Sequence, residues 1–279
     1  MTTGSPLLTA EHVTKAFGGV MAVHDVSLTI DAMAIHGLIG PNGAGKSTLI
    51  SLLSGFARPD SGEICFDGRD VTQLGPARLA RLGMARTFQA ATPLAGMTVL
   101  ENIQVALTIK YRSGLFSVLA RTPAMRREAK ALAAQARELL AVFGLLADAD
   151  RPARDLPFGK LRYLEIARAV ATEPKLLMLD EPAAGLNQVE VDQLAALISW
   201  VRADGVAVLL VDHDVSFLFS ICDRITVLNF GKVVVSGSAA EVRGSELLRE
   251  AYLGPAIPQH PDPPVAESRR PESRHLEAQ

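Results

Sequence analysis

Little in this chain offers itself as a disulfide or a metal cage. Its two cysteines, Cys65 and Cys222, stand far apart and match no metal-ligand spacing, so they read as ordinary thiols of a reducing cytosol. An excess of positive charge is also missing. Lys and Arg number 28 against 30 Asp and Glu, for a net charge of −2, and no basic field calls for nucleic acid. No apolar run approaches the ~20 residues that a membrane-spanning helix requires. Met1 to Pro6 has neither the basic nor the apolar region of a secretory signal. Internal repeats are absent. These absences point to a soluble intracellular protein that acts at a membrane only by docking on something embedded there. What is present is enough apolar material, 48% of 279 residues, for one large domain or two small ones.

The most informative stretch is Gly40-Pro-Asn-Gly-Ala-Gly-Lys-Ser-Thr48, which fits G-x-x-x-x-G-K-[ST]. Small residues let backbone N–H groups turn inward around a polyphosphate. Lys46 is placed to reach the β- and γ-phosphates, and the Ser47 hydroxyl to take a position on Mg²⁺. The loop as a whole is expected to face solvent. Ile35 to Ile39 before it is strand-like, and Lys46 to Leu53 after it reads as a helix whose N-terminal dipole favours the same anion. The loop residues Gly40, Pro41, Asn42, Gly43, Ala44, Gly45, Lys46, Ser47 and Thr48 are therefore candidate ATP contacts.

Elsewhere the pattern divides the chain. The runs Val20 to Val23 and Val26 to Ile30 suit an antiparallel subsheet, and Ile64 to Phe66 before Asp67-Gly68 suits a strand ending in a tight turn. From about 90 to 158 the pattern is helical, with Leu132, Ala136, Leu139, Leu140 and Phe143 at helical spacing, a stripe better explained by core packing than by a partner groove. Two continuous apolar runs, Leu176 to Leu179 and Val206 to Val211, suit parallel strands buried on both faces, with Val189 to Arg202 as the crossover helix. Residues 255–279 hold six of the sixteen prolines among mixed charges, which predicts a disordered tail.

Two acids, Asp180 and Glu181, follow the first of those strands. Asp180 can hold Mg²⁺ directly or through water, and Glu181 can polarise an attacking water as a general base. His213, at the mouth of the next strand, can contact a γ-phosphate or that water. The Gln89 amide can sense both the metal and the water. Taken singly, each also has an ordinary structural explanation: a solvated turn, a structural histidine, a surface amide.

Taken in order, these residues resemble an ABC-type ATPase cassette over Leu7 to Gly254. The resemblance implies an α/β fold: a P-loop NTPase core with an antiparallel β subdomain and a helical subdomain over about 90–172. It places Phe17 where an aromatic stacks on adenine, Gly40 to Thr48 at Walker A, Gln89 at the Q-loop, and Leu176 to Glu181 at Walker B. Ala183 to Asn187 falls at the D-loop and His213 at the switch histidine. It implies ATP and Mg²⁺ as cofactors, with Ser47, Gln89 and Asp180 toward the metal and Glu181, His213 and Gln89 in the chemistry. Ile35 to Gly40, Ala85 to Gln89, Ala183 to Asn187, Ala251 to Gly254 and the extra stretch Ile109 to Met125 are similar to the larger ATPase subunit of branched-chain amino-acid uptake systems. The implied partners are a second ATPase subunit, identical or distinct, integral membrane permease subunits and, indirectly, a solute-binding protein. The implied location is peripheral, on the cytoplasmic face of the membrane. Grooves around Ala90 to Val105, with Glu101 and Asn102, are expected to take the permease's cytoplasmic helices.

The sequence departs from the family in two places. Where a signature Leu-Ser-Gly-Gly-Gln is expected, this chain has Leu156-Pro-Phe-Gly-Lys160. Pro157 supplies neither hydroxyl nor N–H; Gly159 keeps its N–H as a phosphate donor, and Lys160 offers a charged contact. At Asp31 to Ala34 the family's Pro-Gly turn is absent, and a hairpin of another connection is expected. Two further readings remain open. One is a catalytically weak subunit whose signature disables one composite site. The other is a soluble ABC protein acting on ribosomes or DNA, for which the second cassette, coiled-coil insertion and basic patches are missing.

Overall fold

The computed structural model describes residues 6–87, 92–94, 96–108 and 123–253, with backbone alone for 123–129 and 252–253. In chain order come β1 (Leu8–Phe17), β2 (Val20–Ile30), β3 (Ile35–Ile39), α1 (Lys46–Leu53), β4 (Ser61–Phe66), β5 (Arg69–Asp70), α2 (Pro76–Leu82) and β6 (Met84–Arg86). Then follow α3 (Val99–Thr108), α4 (Pro123–Val142), α5 (Phe158–Val170), β7 (Leu176–Asp180), α6 (Gln188–Ala203) and β8 (Ala207–Val211). The described chain closes with α7 (Val215–Ile221), β9 (Arg224–Asn229), β10 (Lys232–Ser238), α8 (Ala239–Arg243) and α9 (Glu246–Leu253).

The strands form two sheets, in the orders β2-β1-β4-β5 and β10-β9-β3-β8-β7-β6. The smaller is antiparallel throughout, and β4 turns into β5 through Asp67 and Gly68, both at positive φ as a two-residue hairpin needs. In the larger sheet β9, β3, β8, β7 and β6 run parallel, and only β10 is antiparallel to its neighbour. The expected hairpin at Asp31 to Ala34 is corrected here: β2 and β3 lie in different sheets, so this segment is an inter-sheet connection. It turns with Met33 in the left-handed region at φ 56°.

The continuous apolar runs follow from a sheet covered on both sides. Alternate residues of each central strand serve different cores. Ile35 and Ile39 of β3, Leu177 and Leu179 of β7, and Val208 and Leu210 of β8 pack with α3 to α7. Leu38, Leu176, Met178, Leu209 and Val211 pack on the other face, with α1 and the antiparallel sheet. The helical stripe predicted from Leu132 to Phe143 joins the first core. Glu101 and Asn102 are held by local hydrogen bonds. Glu101 accepts from Thr98 N at 2.7 Å, and the fully buried Asn102 bridges Leu94 N and Thr98 O. The tail 255–279 and most of Ile109 to Met125 lie outside the described residues.

One buried polar chain crosses the larger sheet. His36 of β3, 3% exposed, shares a proton with Thr226 Oγ1 at 2.8 Å, and that hydroxyl meets Ser236 Oγ at 2.8 Å. Burial, aided by the Arg224 charge, pushes the His36 pKa down to about 4. The folded chain therefore keeps His36 neutral where the unfolded chain has taken up a proton. Stability is fully present above pH ~6.5 and falls as pH drops toward 4, by about 3 kcal/mol over the whole interval. Urea unfolding at several pH values should show this loss, and a His36→Gln variant should lose that part of the pH dependence.

Candidate active site

The site lies at the C-terminal ends of β3, β7 and β8, where an open α/β sheet offers its crevice. β3 ends at Ile39, and the loop runs from Gly40 into α1. The glycines are required by what surrounds the loop. A Cβ on Gly45, which sits at φ 102°, would run into the Ala22 carbonyl of β2, and one on Gly40 would run into the Leu228 carbonyl of β9. The loop is fixed further by Ala44 N to Pro41 O at 3.1 Å and Gly231 N to Ala44 O at 2.9 Å. Helix α1 opens with no side-chain cap and no acid in its first turn, so its positive end is left for an anion.

Lys46 does not face solvent as expected. It is 7% exposed, and its ammonium donates to Gly40 O at 2.7 Å and Pro41 O at 3.1 Å, within its own loop. Burial lowers its pKa, opposed by the negative charges of Glu181, Asp180 and Asp212. Those three carboxylates and Lys46 form the electrostatic centre of the site. Ser47 lies exposed one residue on, and Thr48 is half-buried.

Asp180 is the last residue of β7 and is buried; Glu181 follows at φ 48°, its N–H donating to Val211 O of β8 at 2.7 Å. His213 is placed just beyond β8 with its side chain 61% exposed. Phe17 ends β1 opposite Val20, 53% exposed, with the Lys15 ammonium 5.5 Å from its ring centroid. This strand end neighbours the loop through Ala22. Gln89 lies outside the described residues.

Gly159 and the residues around it are grouped elsewhere, at the head of α5. Pro157 is the N-cap, Phe158 packs its ring over Gly185, and a Cβ on Gly159 would strike the Glu190 carboxylate. Glu190 is itself committed to a capping box with Asn187 at the start of α6. The Lys160 ammonium, read from sequence as a charged contact, is paired with Asp148 at 2.6 Å. That pairing holds the Asp148 carboxyl below its ordinary range.

Three residues were not anticipated. Asp148 is one. Arg86, three residues before Gln89, reaches Asp180 at 3.0 Å. Asp212 is the third; its only sequence signal was an acid directly after an apolar strand, the same context as Asp180. Fully buried, Asp212 accepts from His213 N at 2.7 Å, Asp214 N at 3.0 Å and Ala183 N at 3.1 Å. Burial raises its pKa against those donors. Asp212 thus ties the segment after Glu181 to the segment carrying His213.

A strand–loop–helix cradle with a buried lysine, facing acids at the ends of adjacent parallel strands, defines a P-loop nucleotide-binding protein. Residues 23–184 match the family model described as ABC transporter. The chain is 42% identical over 252 residues to the high-affinity branched-chain amino acid transport ATP-binding protein LivG of Salmonella typhimurium, covering 90% of this chain and 99% of LivG. It is 41% identical over 256 residues to the corresponding protein BraF of Pseudomonas aeruginosa, with 90% and 99% covered. Among solved structures, an ATP-binding cassette of an ABC transporter in its ADP conformation superposes with a TM-score of 0.77 at 30% identity, covering 90% of this chain and all of that one. The chain belongs to the ABC transporter family, and it is an ATP-binding and ATP-hydrolysing cassette with the α/β P-loop fold of that family. Among the described residues no helix is long and apolar enough to cross a membrane.

Replacing Asp212 by Ala leaves three backbone donors without their acceptor. We expect a stability loss on the order of 3 kcal/mol in urea unfolding, with Asp212→Asn losing less because one oxygen remains. Equal stability of the Ala variant and the parent would mean that water replaces the carboxylate.

Proposed function

We propose that this chain is the ATP-hydrolysing, energy-coupling subunit of an importer for branched-chain amino acids or related small organic solutes. The observation that carries the chemistry is the convergence of Lys46 with Asp180, Glu181 and Asp212 beside the glycine loop. The near full-length similarity to LivG and BraF supports the class of cargo. In this reading residues 7–254 form the cassette, with about 90–172 as its helical subdomain. It works as one of a pair of ATPase subunits, peripheral on the cytoplasmic face of the membrane, under permease subunits served by a solute-binding protein. A groove of about 1430 Å³ between α2, β6, α3 and α5, lined by Phe56, Arg86, Val105 and Arg168 among others, suits a segment of the permease.

The donor set suits Mg²⁺. Ser47 and Asp180 offer hard oxygen ligands, and among the described residues no cluster of three or more His, Cys, Asp or Glu could hold a metal alone. Both facts fit an ion that takes one or two protein oxygens and fills its shell with phosphate and water. When bound, Mg²⁺ would neutralise charge on the phosphates. Lys46 would exchange its loop carbonyls for phosphate oxygens, the α1 N-terminus would hold the anion, and Phe17 would stack on adenine. Glu181 would accept a proton from the attacking water, with His213 and Gln89 assisting. Glu181→Gln should retain ATP binding and lose roughly 10²–10⁴-fold in hydrolysis, measured as phosphate release by the complete transporter. Parental turnover in that variant would move the base to another residue, His213 first.

A second reading is favoured by the α5 head. Pro157 removes a hydroxyl and an N–H, and Lys160, the residue able to compensate, is occupied by Asp148. If the signature of each cassette closes over the nucleotide of the other, the composite site that uses this chain's signature is the weaker one. Loss of one transition-state donor costs roughly 10²–10³ in rate. Pro157→Ser should therefore raise ATP turnover of the reconstituted complex, and an unchanged rate would dispose of the asymmetric reading.

A further inference from the structure

Arg86 ends β6 with its guanidinium between two regions that the function needs to connect. On one side Nη2 donates to Asp180 Oδ2 at 3.0 Å, with both side chains about nine-tenths buried (10% and 11% exposed). On the other, the guanidinium lies 5.5 Å from the ring centroid of Phe56. Phe56 is 53% exposed, and it and Arg86 both line the large groove. Nη1 donates to Ser54 Oγ at 2.9 Å and Ser51 Oγ at 3.3 Å, which fastens the same side chain to the helix that follows the glycine loop. A single side chain thus touches the groove, α1 and the carboxylate at the end of β7.

A permanent cation on one oxygen of a carboxylate weakens the attraction of that carboxylate for a second cation, the more so where water is excluded. It also fixes which oxygen stays available. Because an aromatic face and a guanidinium attract each other, displacing the Phe56 ring shifts the guanidinium and with it the charge that Asp180 sees. We infer that Arg86 is a counter-cation and positioning residue that occupies Asp180 Oδ2, sets the affinity of the site for its divalent metal, and is adjusted from the groove through Phe56. This rests on the reading of Asp180 as a Mg²⁺-holding residue and of the groove as the permease's docking place. It adds a physical route between them: a segment seated on Phe56 loosens Arg86 and releases Asp180 to the metal.

The test uses the full chain with a saturating non-hydrolysable ATP analogue and Mn²⁺ as the probe, free Mn²⁺ being read by electron paramagnetic resonance. Nucleotide affinity is measured separately in chelator. Arg86→Gln should tighten Mn²⁺ about tenfold or more and leave the metal-free nucleotide affinity unchanged, a separation that a merely structural residue would not give. Arg86→Lys, which keeps the charge, should stay close to the parent. Phe56→Ala should tighten Mn²⁺ by a smaller factor, and it decides the matter if Arg86→Gln proves unfolded by circular dichroism. Unchanged or weaker Mn²⁺ binding in folded Arg86→Gln overturns the counter-cation role. Parental Mn²⁺ affinity in Phe56→Ala overturns the link to the groove. A parent that binds the analogue but no Mn²⁺ overturns the metal reading of the site, and the Arg86 inference falls with it.

Discussion

The site is governed by the cost of holding charge out of water. Lys46 is buried beside three carboxylates, and a lysine in that position is tolerated because two of its three ammonium protons find acceptors close by. In this structure the acceptors are the carbonyls of Gly40 and Pro41. The same carbonyls belong to the glycine loop, so under the proposed function the ammonium would leave them for phosphate oxygens. The acids meet the same demand in different ways. Asp212 spends its oxygens on backbone N–H groups, and Asp180 spends one on Arg86.

The two-sided sheet makes that pairing possible. β7 and β8 are parallel neighbours, so their C-terminal ends lie side by side and Asp180 falls opposite Val211. Their alternating residues are consumed by separate cores, one under the helices and one under the antiparallel sheet. Rigid packing on both faces is what holds Asp180 and Asp212 at fixed depth. The carbonyls of Ala22 and Leu228, from two other strands, then press the loop from behind and leave no room for side chains at Gly45 and Gly40.

What was legible in the sequence was what is local in the chain. The glycine run, the acids after an apolar strand, the Asp67-Gly68 turn and the stripe from Leu132 to Phe143 are all contiguous or periodic signals, and the structure places each where its pattern predicts. The helix from Lys46 to Leu53 was readable to the residue. Pairings between distant positions were not readable. Arg86 and Asp180 are 94 residues apart and meet only because β6 pairs with β7. The strand order of the larger sheet carries no local signature. Asp31 to Ala34 looked like a hairpin because both flanks are strands, yet the flanks belong to different sheets. Lys160 looked available because its partner Asp148 lies in a separate short turn.

The α5 head shows why a departure in a motif has to be judged with its neighbours. Pro157 stands at the N-cap of α5, where its missing N–H removes no intrahelical hydrogen bond, so the change is compatible with the fold whatever it does to the chemistry. Phe158 uses Gly185 as its seat, Gly159 leaves space for Glu190, and Tyr163 Oη donates to Glu190 O at 2.8 Å. These contacts weld the first turns of α5 to the start of α6, and the segment between Glu181 and α6 includes Gly185. Through Gly185 that segment is packed against Phe158 at the α5 head. Gly159, which a motif search reads as a phosphate contact, and Gly185 are within this chain clearances that let α5, the start of α6 and the segment before α6 pack closely together.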